Sequence, residues 1–344
     1  MIQDLTGDDI TEVPLDDKET MSIFTSTKAL GVTKEQIMCE TGTLGVPEFG
    51  TPFTIKLVED TKPTTFAELV KISGLAHGTD VWLGNAQELI QNNVVPFAKV
   101  IGCRDDIMVE LMYRGLPPFK AFKIMEFVRK GKASKPKEAA QWAEYVDLMK
   151  EYKVDDWFIN SCAKIKYMFP KAHAAAYVTS AFRIAWYKVH KPLVYYATYF
   201  STRLDDFDIE AMIKGYDAIK QKLIELQSKG YEATNKENST IESLKIALEA
   251  SARGIKFRNI DIEASDGKNF IMDEENNALI LPFRTLDGLG DAVAAKIIEE
   301  RNIKPFYSIE DFQIRGKVNQ TTIEKLRTMG VLDGMPESSQ LSLF

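Results

Sequence analysis

Apolar residues recur at three- and four-residue steps along most of the chain, over 65–72, 105–112, 119–130, 139–150, 155–168, 173–190, 209–227 and 240–252. That period places them on one face of a helix and predicts a mainly α protein. Glycine and proline punctuate the joins. Gly42 to Pro52 read as an irregular loop, Pro117-Pro118 as a helix opening, Gly131 to Pro136 as an interruption, and Pro192 follows the longest helix. Ser239-x-x-Glu242 reads as a capping box, and Gly254 as the stop of the helix it starts. Beyond Gly254 the period shortens. Residues 255–262, 270–273 and 278–283 alternate or run apolar around Asp266-Gly267 and Asn276-Asn277, which predicts a small β-meander. A domain boundary is expected between about 200 and 208. The chain shows no internal repeat and no low-complexity tract.

Composition narrows the class. With 344 residues, 45% of them apolar and 27% charged, there is enough chain for two or three domains with cores of their own, which excludes a disordered tail or a mini-protein. No stretch approaches the roughly 18 consecutive apolar residues that span a bilayer. The first ten residues carry Asp4, Asp8 and Asp9 where a signal peptide needs a basic and then an apolar block. Cys39, Cys103 and Cys162 form no CxxC pair, and their odd number argues against a disulfide framework. A soluble, cytoplasmic protein with no membrane partner is expected. The formal charge of −7 hides a segregation: residues 1–60 hold twelve Asp/Glu against four Lys/Arg, whereas 117–191 hold fifteen Lys/Arg against seven Asp/Glu. The basic block reads either as a solvated helix face or as a surface for anions.

Three stretches could carry chemistry. In LDGLGDAVAAKIIEER, Leu286 to Arg301, Gly288 and Gly290 flank Leu289 ahead of an Ala/Ile-rich helix. This is the form of a helix-hairpin-helix, whose glycines let backbone N–H groups approach a phosphate; it is also the form of a simple cap between two helices. Ile314 to Met335 predict a companion helix pair with Gly330 and Gly334. In KYMFPKAHAAAYV, Lys166 to Val178, Pro170 sits where a helix can begin, so Lys171 and His173 fall in or near its first turn. Basic groups beside free N–H groups suit a triphosphate, while the same pattern fits a buried Ala-rich helix with Lys171 in solvent. Finally, Gln340-Leu341-Ser342-Leu343-Phe344 reads as an extended tail with Leu343 and Phe344 as anchors for a partner's pocket, or as a frayed terminus. There is no Walker A loop, HExxH, nucleophile elbow or dinucleotide fingerprint. Asp105-Asp106, Asp155-Asp156 and Asp205-Asp206-x-Asp208 could in principle hold Mg²⁺, but adjacent residues on a helix diverge by about 100° and helix starts favour Asp.

Together these stretches resemble the C-terminal part of the PolC-type DNA polymerase III alpha subunit, the replicative polymerase of low-GC Gram-positive bacteria. The resemblance runs through IFTSTKALGVT, TGTLGVPEFGT, ISGLAHGTDVWLGNAQELI, VIGCRDDIM, KIMEFVRKGK, KYMFPKAHAAAYV, RGKV and the terminal QLSLF. It implies helical fingers over 1–205, an α+β duplex-binding domain over 206–334 with a helix-hairpin-helix at about 283–334, and a clamp-binding tail over 335–344. It implies that Lys171, His173 and Tyr167 face the incoming nucleotide, with Arg104, Arg129 and Lys130 as further phosphate contacts. Gly288, Leu289 and Gly290, with Lys296 nearby, would meet duplex DNA, and Gln340, Leu341, Ser342, Leu343 and Phe344 would dock in the sliding clamp (the beta subunit). Primer-template duplex, incoming dNTP and replisome subunits are the implied partners. The Mg²⁺-binding aspartates belong in this family to the palm, so the resemblance implies no catalytic or metal residue here and an isolated chain that is inactive. Two other readings compete: a self-contained helix-hairpin-helix scaffold for DNA, and a helix-hairpin-helix lyase or glycosylase using Lys296 or Lys304 with Asp311.

Overall fold

The computed structural model describes residues 1–338. Helices follow one another along most of the chain: α1 (Ile2–Thr6), α2 (Lys18–Ser22), α3 (Lys34–Ile37), α4 (Pro52–Thr61), α5 (Phe66–His77), α6 (Gln87–Gln91), α7 (Arg104–Tyr113), α8 (Pro118–Arg129), α9 (Ala139–Glu151), α10 (Asp156–Lys164), α11 (Lys171–His190), α12 (Pro192–Ser201), α13 (Ile209–Lys214), α14 (Tyr216–Ser228) and α15 (Asn235–Ala252). Three short strands come next, β1 (Lys256–Arg258), β2 (Ile271–Asp273) and β3 (Ala278–Ile280), followed by α16 (Asp291–Ile303), α17 (Ile309–Gly316) and α18 (Gln320–Thr328). The fold is therefore mainly α with one small sheet. The helix-period windows named above fall on helices with two departures: Gly215, at φ 89° and ψ −165°, divides 209–227 into α13 and α14, and the window 155–168 overruns α10, which ends at Lys164 where Ile165 turns extended.

The sheet is not a meander. Its order is β1-β3-β2, with buried β3 in the centre, parallel to β1 through Phe257 and Leu279 and antiparallel to β2 through Met272 and Leu279. Asn276-Asn277 do turn β2 into β3, Asn277 taking a left-handed φ of 49°. Asp266-Gly267 do not make a hairpin: the Asp266 carboxylate accepts from the amides of Lys268 and Asn269, each at 2.8 Å, inside the long link that a parallel neighbour requires.

The chain divides into two compact units. One comprises Val13–Ala29 and Glu40–Ala185; the other comprises Met1–Glu12, Leu30–Cys39 and the chain from Trp186 onward. In the first unit Phe24 packs edge-on against Phe49 and stacks on Phe182, which meets Phe66 edge-on. α5 enters this core behind a capping box, with Thr65 accepting from the Glu68 amide and Glu68 from the Thr65 amide. Pro118 opens α8, where a missing N–H costs nothing. Cys103 and Cys162 are buried thiols of this unit, and burial pushes Cys103 up to about 12.

The second unit is organised around a buried ion pair. Lys188 on α11 meets Glu249 on α15 at 2.7 Å with neither side chain exposed, and the Tyr196 hydroxyl on α12 donates to the same carboxylate at 2.7 Å. Arg253 closes the group by donating to the Lys188 carbonyl at 2.7 Å. α15 begins a full turn earlier than its apolar pattern suggests. Its capping box is Thr234 with Glu237, and Ser239 and Glu242 lie inside the helix, because the first turns are solvated and show no apolar face. The helix stops as expected: Gly254 takes φ +81° just past its end. Cys39 in this unit is half-buried.

Candidate functional site

In the first unit, three chain segments are fastened together by main-chain bonds. The Arg104 amide donates to Phe169 O at 3.1 Å, and the Met168 amide to Arg129 O at 3.3 Å. The Lys171 amide, at the start of α11, donates to Asp105 Oδ2 at 2.6 Å. Gly131 makes the closest approach. A Cβ there would stand 2.4 Å from Lys166 O, and the residue holds φ +63°, so only glycine lets the end of α8 lie against the Lys166–Tyr167 segment. As a result Arg104, Arg129, Lys130, Tyr167, Lys171 and His173, scattered over seventy positions of sequence, occupy one neighbourhood.

The cations are not loose. Arg129 grips Glu126 through two nitrogens, Lys130 Nζ reaches Glu126 Oε2 at 2.8 Å, and Arg104 Nη1 lies 3.8 Å from Oε1. The Arg129 hydrogen bonds hold the Glu126 carboxyl down at about 2, and the same pairing raises Arg129. Lys171 is well exposed, its Nζ 4.0 Å from Asp106 Oδ1. On the other side of Asp106, at 3.9 Å, stands Lys71, which donates to the carbonyls of Ala98 and Val100; burial pulls its ammonium below the ordinary lysine value. Glu126 was legible as the i−3 and i−4 partner of Arg129 and Lys130. Lys71 had no local signal, since its carbonyl partners are 27 and 29 residues away in sequence.

An aromatic run adjoins the cations. Tyr167 meets Phe169 edge-on at 5.3 Å between centroids, Phe169 stacks on His173 at 5.0 Å, and His173 leans on Tyr177 at 4.6 Å. Phe169, His173 and Tyr177, with Glu48, Ser73 and His77, line a cavity of about 210 Å³. His77 is paired with Glu48, and the buried Ser73 hydroxyl has no hydrogen-bond partner among the described residues.

At least one member of each acidic pair singled out in the sequence is committed elsewhere. Asp105 caps α11, and Asp106 accepts from the amides of Gly102 and Cys103 at the start of α7. Asp155 pairs with Arg114, Asp205 with Arg284, and Asp208 caps α13. No group of three His, Cys, Asp or Glu side chains placed to hold a metal ion occurs among the described residues.

In the second unit Gly288 takes φ +92°, Leu289 is buried, and Gly290 is the N-cap of α16. The first bond of that helix runs from Val293 N–H to Gly290 O at 3.1 Å, which leaves the preceding amides at an open helix start. The cations around this hairpin are Lys268 and Arg284, both bound to Asp291 at 2.7 Å, and Lys325, which donates to Asp287 O at 2.7 Å. Lys296 lies further along α16, paired with Glu299 and Glu300, and these hydrogen bonds raise its pKa. The companion helix pair is present, but its turn differs from the expected one. α17 and α18 are joined through Lys317, at φ 53°, and the N-cap Asn319, while Gly330 and Gly334 turn the chain after α18. RGKV at 315–318 carried that turn. The tail residues Gln340, Leu341, Ser342, Leu343 and Phe344 lie outside the described residues.

No helix among the described residues is long and apolar enough to cross a membrane. Residues 1–153 match the bacterial DNA polymerase III alpha subunit finger domain, and residues 254–341 match a helix-hairpin-helix motif. A finger segment followed by helix-hairpin-helix defines a bacterial polymerase III chain. All 344 residues align with DNA polymerase III PolC-type of Bacillus subtilis at 55% identity, of Halalkalibacterium halodurans at 54% and of Staphylococcus haemolyticus at 52%. The chain belongs to the PolC-type DNA polymerase III family and spans 23% of the length of each of these relatives.

Proposed function

We propose that this chain supplies the nucleotide-binding fingers, a duplex-DNA grip and a clamp-docking tail to a bacterial replicative DNA polymerase whose chemical step is carried elsewhere in the enzyme. The observation that supports it most is the convergence of Arg104, Arg129 and Lys130 on Glu126, fastened by main-chain bonds to the Tyr167–His173 segment. With Lys171 and Lys71 the cations there outnumber the carboxylates of Glu126, Asp105 and Asp106, which leaves positive charge for triphosphate oxygens. Glu126 holds the guanidinium groups in place before the nucleotide arrives, so less side-chain freedom is lost on binding. Tyr167 and His173 present rings for base or sugar. Along α16 the open amides after Gly290, with Lys268, Arg284 and Lys325, contact duplex phosphates without regard to sequence. The tail, residues 340–344, adds a tethered second attachment that raises effective concentration at the clamp. The proposed functional domains are the fingers over 1–205, the duplex grip over 206–334 and the tail over 335–344.

The lyase alternative loses support at one of its two candidate nucleophiles, Lys296. A Schiff-base lysine needs a lowered pKa, whereas Lys296 is raised by two carboxylates, and Asp311 is occupied by the Tyr307 amide and Arg315. Primer extension with Mg²⁺ and four dNTPs, comparing this chain alone with the chain joined to a palm domain of the family, tests the proposal. Extension only by the joined protein is the expected result; extension by the chain alone overturns it.

A further inference from the structure

Large apolar side chains are exposed together on the α7–α8 hairpin. On α7, Val109 is 61% exposed, Met112 42% and Tyr113 86%; on α8, Phe119 is 67% and Phe122 44% exposed. Ile107 and Leu111 of α7, and Ala121, Ile124, Met125 and Val128 of α8, face the core. The exposed set therefore lies on the outward sides of both helices, at i, i+3 and i+4 on α7 and one turn apart on α8. A cluster of this kind on a free surface marks a binding face.

On α8 the charges interleaved with it are positive. Lys120 and Lys123 alternate with the two phenylalanines, Lys123 Nζ stands 5.1 Å from the Phe119 ring centroid, and neither lysine has an ion-pair partner among the described residues. The carboxylate of Glu110 is already bound to Arg114, which also holds Asp155. Exposed rings separated by unpaired ammonium groups match bases and phosphates in alternation, the chemistry of an unpaired strand.

We propose that the outward face of the α7–α8 hairpin is a stacking platform for single-stranded DNA, with Phe119, Phe122 and Tyr113 taking bases and Lys120 and Lys123 taking phosphates. The platform is independent of the triphosphate cluster, with which it shares no side chain. It grips without sequence preference, because every base offers a π face.

The test is fluorescence anisotropy of the whole chain with a labelled oligothymidylate of roughly 16 nucleotides, within the span single-strand binders cover. Phe119→Ala/Phe122→Ala is expected to weaken oligonucleotide binding about ten-fold or more and to leave blunt-duplex binding unchanged. Lys120→Gln/Lys123→Gln is expected to lower the slope of log affinity against log salt by about 1.4, at roughly 0.7 per phosphate contact. All four side chains are exposed, so a thermal melt matching the parent confirms folding in both variants. Crosslinking to an iodouracil-substituted oligonucleotide should place the adduct within 109–123. Unchanged oligonucleotide affinity in both variants, or an adduct elsewhere, overturns the proposal. Loss of self-association in the phenylalanine variant without an oligonucleotide effect also overturns it and makes the face a protein contact.

Discussion

Glu126 is the one carboxylate that Arg129, Lys130 and Arg104 share, and its protonation has a definite consequence. Its folded-state pKa is about 2 against an ordinary value of 4.5, so its contribution to stability is present above 4.5 and is lost as the pH falls through about 2. Urea unfolding of Glu126→Gln should therefore show a deficit at neutral pH that shrinks below pH 4.5 and vanishes near pH 2; a constant deficit would mean that the carboxylate's charge is not what matters. Gly131 makes a different kind of demand. Gly131→Ala must move the Lys166 carbonyl or abandon φ +63°, so a loss of about 2 kcal/mol in stability is expected, with weakened dNTP binding, measurable by denaturation and by the KM for dNTP in the joined polymerase. Lys171 and His173 were readable in the sequence because Pro170 announces a helix start. Lys71 and Ser73 were not, since Lys71 is held by bonds from its ammonium to carbonyls distant in sequence and Ser73 lines a cavity whose other walls come from distant segments.

Among the elements, α11, α12 and α15 depend on the Lys188–Glu249 pair. Lys188→Met strands a buried carboxylate and should cost about 3–5 kcal/mol, whereas Lys188→Met/Glu249→Leu should recover most of that loss; chemical denaturation distinguishes the two. Arg315 plays the corresponding part for the last helices. It donates to the carbonyls of Glu300, Lys304 and Pro305, pairs with Glu300 and Asp311, and lies over the Phe306 ring. A lysine cannot repeat that fork, so Arg315→Lys should lower the melting temperature nearly as far as Arg315→Met. Helices were legible where apolar residues recur at the helical period, whereas α1 and α6 bury no residue and α4 and α12 fell outside the periodic windows. The sheet order and the start of α15 were not: pairing β1 with β3 is a tertiary choice, and a solvated first turn leaves no apolar period to read.

For the molecule as a whole, the charge segregation was visible in the sequence, and most of the proposed triphosphate cluster lies within the basic block, while the interleaving of the first forty residues between two compact units had no compositional mark. Duplex affinity should fall linearly on a log–log plot against salt, at about 0.9 per phosphate contacted. Gly290→Val has open space around its Cβ, so it should keep the melting temperature and weaken duplex binding equally for all sequences; a sequence-dependent loss would contradict phosphate-only contact. Deleting 340–344 should abolish clamp binding and leave duplex affinity unchanged, as a pull-down with the clamp would show. The uneven burial of the three thiols bears on how such experiments can be done. With Cys103 and Cys162 buried and Cys39 half-exposed, a maleimide dye should react first and in single stoichiometry at Cys39, so the unaltered chain can carry its own fluorescent reporter.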